Sequence, residues 1–264
     1  MPSALALRRA GLALLFTAFV STCVAQAQKA PATYEPTSGQ EGKDVVWVPT
    51  SQALVDKMLD MARMTKNDFV MDLGSGDGRT VITAAKRGAR AVGVEYNPDM
   101  VELSKRNAEK EGVSARATFM KADLFETDFS RATVITMFLL PDINLKLRPK
   151  ILGLKPGTRI VSNSFTMGDW KEDARTSITP EAGCETSWCT ALLWIVPARV
   201  EGTHPLPQGE VTFKQRYQEL SGSLVTEGKT YALEGKVRGE AVSFTAGGRE
   251  YRGRMNGQRF ELNK

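Results

Sequence analysis

The chain has 264 residues, of which 35 are Lys or Arg, 30 are Asp or Glu and one is His, so the formal net charge is +5. Residues 1–27 hold two arginines and no acid, which leaves a charge excess of 33 − 30, or +3, for the rest of the chain. An excess this small and dispersed argues against a protein that binds nucleic acid.

Residues 1–27 have the features of a secretory signal peptide. Arg8 and Arg9 precede an apolar run over residues 10–24, and small residues follow as far as Ala27, where we expect cleavage. The sequence therefore predicts export to the periplasm or the cell exterior, with no membrane span once the leader is removed. A leader that is retained as a membrane anchor, or that targets an organelle, is the open alternative.

Residues 28–43 are predicted to form a linker, because they include the flexible run Gly39-Gln40-Glu41-Gly42. Two domains are expected after it, over residues 44–197 and 198–264. The first predicted helix covers residues 51–64, where apolar side chains recur at helical spacing.

The most informative segment is residues 69–79, an apolar strand that leads into Asp72-Leu73-Gly74-Ser75-Gly76-Asp77-Gly78-Arg79. Glycines at alternate positions permit a sharp turn beside a ligand, and the alanine-rich helix predicted over 80–87 directs backbone N–H groups towards it. The dinucleotide fingerprint would need a glycine where Arg79 stands. The segment thus predicts a nucleotide-type cofactor site of another kind.

A second strand, over residues 91–95, ends in Glu95, a carboxylate suited to holding both hydroxyls of a ribose. Glu95 could instead help to cap the helix predicted over 99–111, and the two roles can coexist. A third strand is predicted over 117–124, with Asp123 near its end. Asp123 could also be a simple turn residue.

Two further strands are predicted, an apolar run over 133–140 and the turn and strand over 154–161. Strands that alternate with helices predict an α/β fold, a doubly wound and mainly parallel sheet. Ligands of such sheets bind in the crevice beyond the carboxyl ends of the strands.

From about residue 44 to about residue 173, this order of motifs resembles the class I S-adenosylmethionine-dependent methyltransferases, which have a Rossmann-like fold. The resemblance implies S-adenosyl-L-methionine as the cofactor. It also implies a ribose contact from Glu95 and an adenine contact from Asp123. The implied cofactor-binding set is Asp72, Gly74, Ser75, Gly76, Gly78, Glu95, Asp123 and Leu124.

Three features narrow the resemblance: Val48-Pro49-Thr50, the glycine loop, and Leu139-Leu140-Pro141. Together they are similar to the protein-lysine methyltransferases that modify mitochondrial membrane-transport proteins. Residues 159–165 are similar to the corresponding strand of the non-SET histone lysine methyltransferases. Both resemblances imply N-methylation of a protein lysine. Two alternatives stay open: a small-molecule methyltransferase, and a non-catalytic exported binding or scaffold protein, since an exported enzyme would need an outside supply of cofactor.

The acceptor site is expected where the fourth strand ends. Relatives that methylate nucleobases or glutamine carry an Asn/Asp-Pro-Pro-aromatic motif there, and this chain has Leu139-Leu140-Pro141-Asp142. Asp142 is the candidate catalytic residue, as a polar contact to an incoming ammonium, although it could equally cap a helix over 143–147. Phe165 and Trp170 are candidates to line the channel. No strong general base is required, which fits a chain whose one histidine, His204, lies outside this domain.

Cys184 and Cys189 flank Trp188 and could form a disulfide in an oxidising compartment, or could point to different faces of a strand. No metal site is expected, because two cysteines at this spacing have no histidine near them.

The last segment, residues 198–264, has short alternating runs such as Val211-Thr212-Phe213, separated by turn signals such as Asn256-Gly257. This pattern predicts a small antiparallel β-rich C-terminal domain. So short a segment would have a thin core alone, and we therefore expect it to dock on the first domain.

Overall fold

The computed structural model describes residues 34–263, which belong to one compact unit. The predicted leader, and residues 28–33 of the predicted linker, lie outside the described residues. The described chain contains two seven-stranded sheets that follow one another in sequence.

The first sheet has the order β3-β2-β1-β4-β5-β7-β6. Strands β1 to β5 pair in parallel with one another, whereas β7 is antiparallel to both β5 and β6. The strands are β1 (Phe69–Leu73), β2 (Arg90–Glu95), β3 (Ala117–Lys121), β4 (Val134–Met137), β5 (Arg159–Asn163), β6 (Ala174–Ser177) and β7 (Thr190–Ile195). The predicted doubly wound, mainly parallel sheet is confirmed, and the chain reverses its direction of progress between β1 and β4, where such sheets bind ligands.

Four α-helices cover this sheet: α1 (Gln52–Met61), α2 (Arg79–Lys86), α3 (Pro98–Lys110) and α4 (Pro141–Leu152). α1 begins after Ser51, whose hydroxyl accepts a hydrogen bond from the N–H of Leu54, as N-cap residues do. Asn97 caps α3 in the same way. α4 is much longer than the helix predicted over 143–147, because Pro141 supplies a favourable first turn.

Two predicted strands end earlier than expected, and this matters for the crevice. β3 ends at Lys121, so Asp123 lies in the following loop, and β4 ends at Met137, so residues 138–140 lie beyond the sheet. Side chains in both short segments are thereby placed at the carboxyl edge of the sheet.

The core of the first sheet has two layers, one on each face. Successive residues of β1 alternate between them: Val70 packs with α1 and α2, and Met71 packs with α4. This is the alternation expected of a strand buried on both sides.

The second sheet consists of strands in sequential order, each antiparallel to the next, and its edge strands approach each other, so it is barrel-like. The strands are β8 (Gly202–Leu206), β9 (Gly209–Arg216), β10 (Glu219–Thr226), β11 (Lys229–Arg238), β12 (Ala241–Ala246), β13 (Arg249–Asn256) and β14 (Arg259–Leu262). The Phe213 ring lies edge-on to Phe244 and Phe260, with centroids 5.4 Å away in each case. The predicted antiparallel C-terminal sheet is confirmed.

The two sheets meet at Asp169, in the segment that follows β5. Its carboxylate accepts hydrogen bonds from Arg148, Arg216 and Tyr217, which hold the pKa of Asp169 well below its usual range. Next to it the Trp170 ring is fully buried, stacked on Tyr217 with 6.0 Å between centroids. The expectation that Trp170 lines the acceptor channel is therefore wrong, because its ring packs between the two sheets.

Candidate active site

A cavity of about 540 Å³ lies at the carboxyl ends of β1, β2 and β4. One part, which we call the polar end, is formed by Asp72, residues 74–77, Glu95 and Asp123. The other part, which we call the aromatic end, is formed by Phe138, Leu140, Ile143, Phe165 and Trp188.

The glycine loop at the polar end folds back against β2. Gly74 and Gly76 have φ values of 78° and 54°, a region that other residues rarely adopt. The N–H groups of Gly74 and Ser75 both donate to the carbonyl of Val94, at 2.9 and 3.0 Å. These bonds fix the loop beside the end of β2.

Glu95 joins the two loops of the polar end. Its Oε2 accepts from the N–H of Gly76 at 2.9 Å, and its Oε1 accepts from the N–H of Asn97 at 2.9 Å. Each carboxylate oxygen has a second lone pair, so both can still accept a hydrogen bond from a ligand. Glu95 thus organises the start of α3 and also lines the cavity, while its contact with a ribose stays a prediction.

Asp72 lies deeper. Its Oδ1 accepts from the hydroxyl of Thr136 at 2.6 Å. Burial raises the pKa of Asp72 to about 7, and the neighbouring negative charges of Asp77 and Glu95 act in the same direction. A cationic ligand in this end would stabilise the ionised form of Asp72.

Lys43 occupies the rim of the polar end, where it forms an ion pair with Asp123 and lies 4.6 Å from the centroid of the Tyr96 ring. Lys43 thereby lowers the pKa of Asp123, to which the Phe125 N–H also donates. Leu124 lines the cavity beside Asp123.

The segment before α1 forms part of the site, and it includes the end of the predicted linker. Gly39 and Trp47 pair through their backbones, and residues 40–50 line the cavity. Trp47 packs so closely on the glycine loop that a Cβ on Gly76 would lie 2.4 Å from its Nε1. Residues 40–43 of the predicted linker thus also line the cavity, which a run rich in glycine and polar residues did not reveal.

The aromatic end brings together three rings from separate segments. Phe138 stacks on Phe165 with 5.8 Å between centroids, and its centroid lies 6.0 Å from that of Trp188 at a tilt of 59°. Among the described residues that line the cavity, those from 137 to 188 carry no charged side chain. Phe165 was expected here from sequence, whereas Phe138 and Trp188 were not assigned to the cavity.

Hydrogen bonds from one side chain and a disulfide bond fix the segments that carry Phe165 and Trp188. The side-chain amide of Asn144, on α4, donates to the carbonyls of Phe165 and Thr166 at 3.3 and 3.2 Å. Trp188 belongs to a loop closed by a disulfide between Cys184 and Cys189, the first of the two arrangements left open by the sequence. The tryptophan between two cysteines is the sequence feature that could have pointed to Trp188 as part of the aromatic end.

The chain is similar to known methyltransferases. A family model described as the ANTKMT methyltransferase domain matches residues 72–174. A protein-lysine N-methyltransferase of Saccharolobus islandicus is 48% identical over 129 residues, which cover 48% of this chain and 80% of that protein. The adenine nucleotide translocase lysine N-methyltransferase of Mus musculus is 34% identical over 129 residues, 48% of this chain and 56% of that protein.

The chain is also similar to a methyltransferase of known structure. The chain is 42% identical to an RNA methyltransferase from Salinibacter ruber in complex with S-adenosyl-L-homocysteine, with a TM-score of 0.53, and the match covers 58% of this chain and 96% of that one. The chain belongs to the S-adenosylmethionine-dependent methyltransferases. Its cofactor is S-adenosylmethionine, as the resemblance implied.

The polar end of this methyltransferase fits that cofactor. Charged side chains that line the whole cavity are mostly acidic: Glu41, Asp44, Asp72, Asp77, Glu95 and Asp123 against Lys43 and Arg79. They suit a ligand with a sulfonium and an ammonium group. The buried Ser75 Oγ has no hydrogen-bond partner within the described part of the chain, and it faces Gly93 of β2, where an added Cβ would lie 2.5 Å from it.

Two predicted site residues of the methyltransferase do not line the cavity. A Cβ on Gly78 would lie 2.8 Å from the Phe119 ring and 2.9 Å from Ser104, so this glycine serves the packing of the loop on α3 and β3. Asp142 is exposed in the first turn of α4. This position suits the helix dipole, and the structure does not bring Asp142 into the cavity lining, so its catalytic role stays a prediction from the sequence.

Within residues 34–263, no cluster of three or more His, Cys, Asp or Glu side chains is arranged to hold a metal ion. No helix among those residues is long and apolar enough to cross a membrane.

Proposed function

We propose that this methyltransferase N-methylates a lysine side chain of a protein. The cofactor would be held at the polar end by Asp72, Gly74, Ser75, Gly76, Glu95, Asp123 and Leu124. The printed names of the archaeal and mouse relatives support a protein lysine as the acceptor. The chain spans 80% of the archaeal protein but only 56% of the mouse one, so the acceptor protein is not carried over from either name.

One observation carries the proposal: the acidic polar end and the uncharged aromatic end belong to one cavity. When bound, the cofactor supplies a methyl group activated by a sulfonium. The residues of this chain then need only to align the acceptor nitrogen with that methyl and to exclude water.

The aromatic end assists with the acceptor's proton. A lysine must lose its proton before its nitrogen can attack, and an apolar, desolvated environment lowers the pKa of an ammonium group. Phe138 and Phe165 are half-buried and provide such an environment at the place where β4 and β5 end. A general base is therefore dispensable.

An RNA acceptor is the competing candidate, because the structural relative from Salinibacter ruber is titled an RNA methyltransferase. Binding to an RNA backbone would favour lysines and arginines near the cavity. The cavity is instead lined by six acidic and two basic side chains, which favours a cationic acceptor.

We also propose that the protein is exported, as residues 1–27 predict. The disulfide between Cys184 and Cys189 supports this, because such bonds persist in oxidising compartments. The mass of the protein recovered from the periplasm or medium would show cleavage after Ala27, whereas a full-length chain in the cytosol would contradict export.

The experiment that tests the function uses S-adenosylmethionine with a tritiated methyl group. The protein is incubated with protein and RNA fractions from the same organism, and labelled polypeptides are hydrolysed for amino-acid analysis. Label that co-migrates with methylated lysine is expected. Label confined to RNA or to small molecules would contradict the proposal.

A further inference from the structure

The disulfide loop that carries Trp188 lies outside the segment matched by the methyltransferase family model, which ends at residue 174. The family match therefore says nothing about the role of this loop, which is argued from the structure of this chain alone. We propose that Trp188, together with Phe138 and Phe165, forms an aromatic cluster that binds the alkylammonium group of the acceptor and of its methylated product. The inference rests on the proposed function and names the groups that recognise the acceptor.

The geometry of the three rings supports this role. Trp188 is 37% exposed, although it lines the cavity, and Phe138 and Phe165 are half-buried. Large aromatic rings that stay partly exposed at the mouth of a cavity mark a binding surface. The Phe138 ring stacks on Phe165, whereas the Trp188 ring is tilted by 59° to Phe138, so the three rings do not form a single flat stack.

The chemistry of the cluster selects a cation. An aromatic face attracts an ammonium through its quadrupole, and quaternary ammonium ions are bound by cages of such rings. No charged lining residue comes from positions 137–188 of the described chain, and Lys43, which also lines the cavity, lies over the Tyr96 ring instead. The acidic side chains of the polar end add a favourable field for a cationic acceptor.

The disulfide gives Trp188 a defined position. Cys184 is buried and bonded to Cys189, which directly precedes β7, while the residues between them are exposed. The N–H of Trp188 donates to the hydroxyl of Thr186 within the same loop, at 3.2 Å. Cys184 and Cys189 are thus positioning residues, and a reduced loop would hold the ring less firmly.

The test measures binding of one small ligand, N-α-acetyl-N-ε-trimethyl-lysine methylamide, to the protein saturated with S-adenosylhomocysteine. The neutral norleucine analogue has a similar stem without the cation and serves as the control ligand. Calorimetry gives the affinity of both ligands, and a separate titration gives the affinity for S-adenosylhomocysteine in each variant.

We expect the cationic ligand to bind and the norleucine analogue not to bind. Trp188→Ala removes an exposed ring face and should weaken the cationic ligand about fivefold or more, whereas Trp188→Phe keeps a ring face and should retain most of the affinity. The double variant Cys184→Ser with Cys189→Ser should fall between them. None of these variants should change the affinity for S-adenosylhomocysteine.

The possible results distinguish the role of Trp188 from the proposed function. If S-adenosylhomocysteine binds but Trp188→Ala leaves the affinity for the trimethyl-lysine ligand unchanged, the inference is overturned and the proposed function stands. If the folded wild-type protein does not bind S-adenosylhomocysteine, the proposed function fails and the inference fails with it. Equal affinity for the cationic ligand with and without the disulfide would overturn the positioning role of the cysteines.

Discussion

The polar and aromatic ends of the cavity are built in different ways. The glycine loop, Asp72 and Glu95 of the polar end come from one continuous stretch, residues 72–95, fixed by backbone hydrogen bonds between adjacent parallel strands. The aromatic end takes Phe138, Phe165 and Trp188 from three segments that are well separated in the sequence. Most of the predicted cofactor contacts thus come from one short stretch, joined by Asp123 and the segment before α1, whereas the aromatic end depends on how three distant segments meet.

The largest effect should follow from filling the glycine loop. Gly76→Arg adds a side chain at a positive φ of 54°, with its Cβ 2.4 Å from Trp47 Nε1. Titration calorimetry should show that binding of S-adenosylmethionine is lost, a fall of more than about 100-fold.

Gly112→Arg is the matched control for this change. Gly112 also has a positive φ, of 68°, but nothing lies within 4 Å of an added Cβ. It should lose stability through backbone strain of about 1–2 kcal/mol and keep its cofactor affinity. Equal loss of binding in the two variants would mean that the loop is not the cofactor site.

Glu95→Gln should have the next largest effect. An amide can accept from only one of the two backbone N–H groups that Glu95 now satisfies, those of Gly76 and Asn97. Loss of the charge from the predicted bond to a ribose hydroxyl, about 1.5–3 kcal/mol for a charge-assisted bond, predicts cofactor binding weaker by about ten- to a hundredfold. Glu102→Gln, which removes an exposed pair with Lys105 on α3, should leave the affinity unchanged; the same loss in both would point to general charge effects.

The third prediction concerns pH. The pKa of Asp72 is raised to about 7 in the free protein. Because a cationic ligand favours the carboxylate, binding releases a proton, and the affinity for S-adenosylmethionine should fall by up to about tenfold per pH unit as the pH drops below 7. The same raised pKa favours the folded free protein at low pH, and this contribution to stability is lost as the pH rises towards 7, since the buried carboxyl must ionise.

Asp72→Asn should flatten both pH dependences. Calorimetry in buffers of different ionisation enthalpy counts the protons released, and a wild-type affinity that is constant through neutral pH would contradict the role given to Asp72.

The smallest effect on the cofactor is expected at the aromatic end. Asn144→Leu removes the donors that hold the carbonyls of Phe165 and Thr166, which should lower the free energy of unfolding by about 1 kcal/mol. Urea denaturation measures this loss. The affinity for S-adenosylmethionine should not change, while binding of the trimethyl-lysine ligand should weaken. A change in cofactor affinity alone would contradict the separate roles of the polar and aromatic ends.

These differences explain what the sequence could predict. Asp72, Gly76 and Glu95 could be identified because strand, turn and carboxylate follow at short, fixed spacings that a parallel sheet dictates. Trp170 and Trp188 could not be told apart, since only tertiary packing buries one against Tyr217 and leaves the other at the cavity. The start of α4 at Pro141 could not be predicted, so the sequence left open whether Asp142 contacts the acceptor or begins a helix.

The C-terminal sheet was predictable for the same reason as the polar end, because alternating residues and turn dipeptides are local signals. Its contact with Asp169 was not, since Arg216 and Tyr217 lie far along the chain from that residue.

A crystal structure of the protein with S-adenosylhomocysteine and the trimethyl-lysine ligand would test the central claim most directly. We predict the adenosine at the polar end beside Gly76, Glu95 and Asp123, and the quaternary ammonium against Trp188, with the cofactor's sulfur between them. A cofactor bound elsewhere, or an ammonium group placed away from Trp188, would contradict the two-ended cavity.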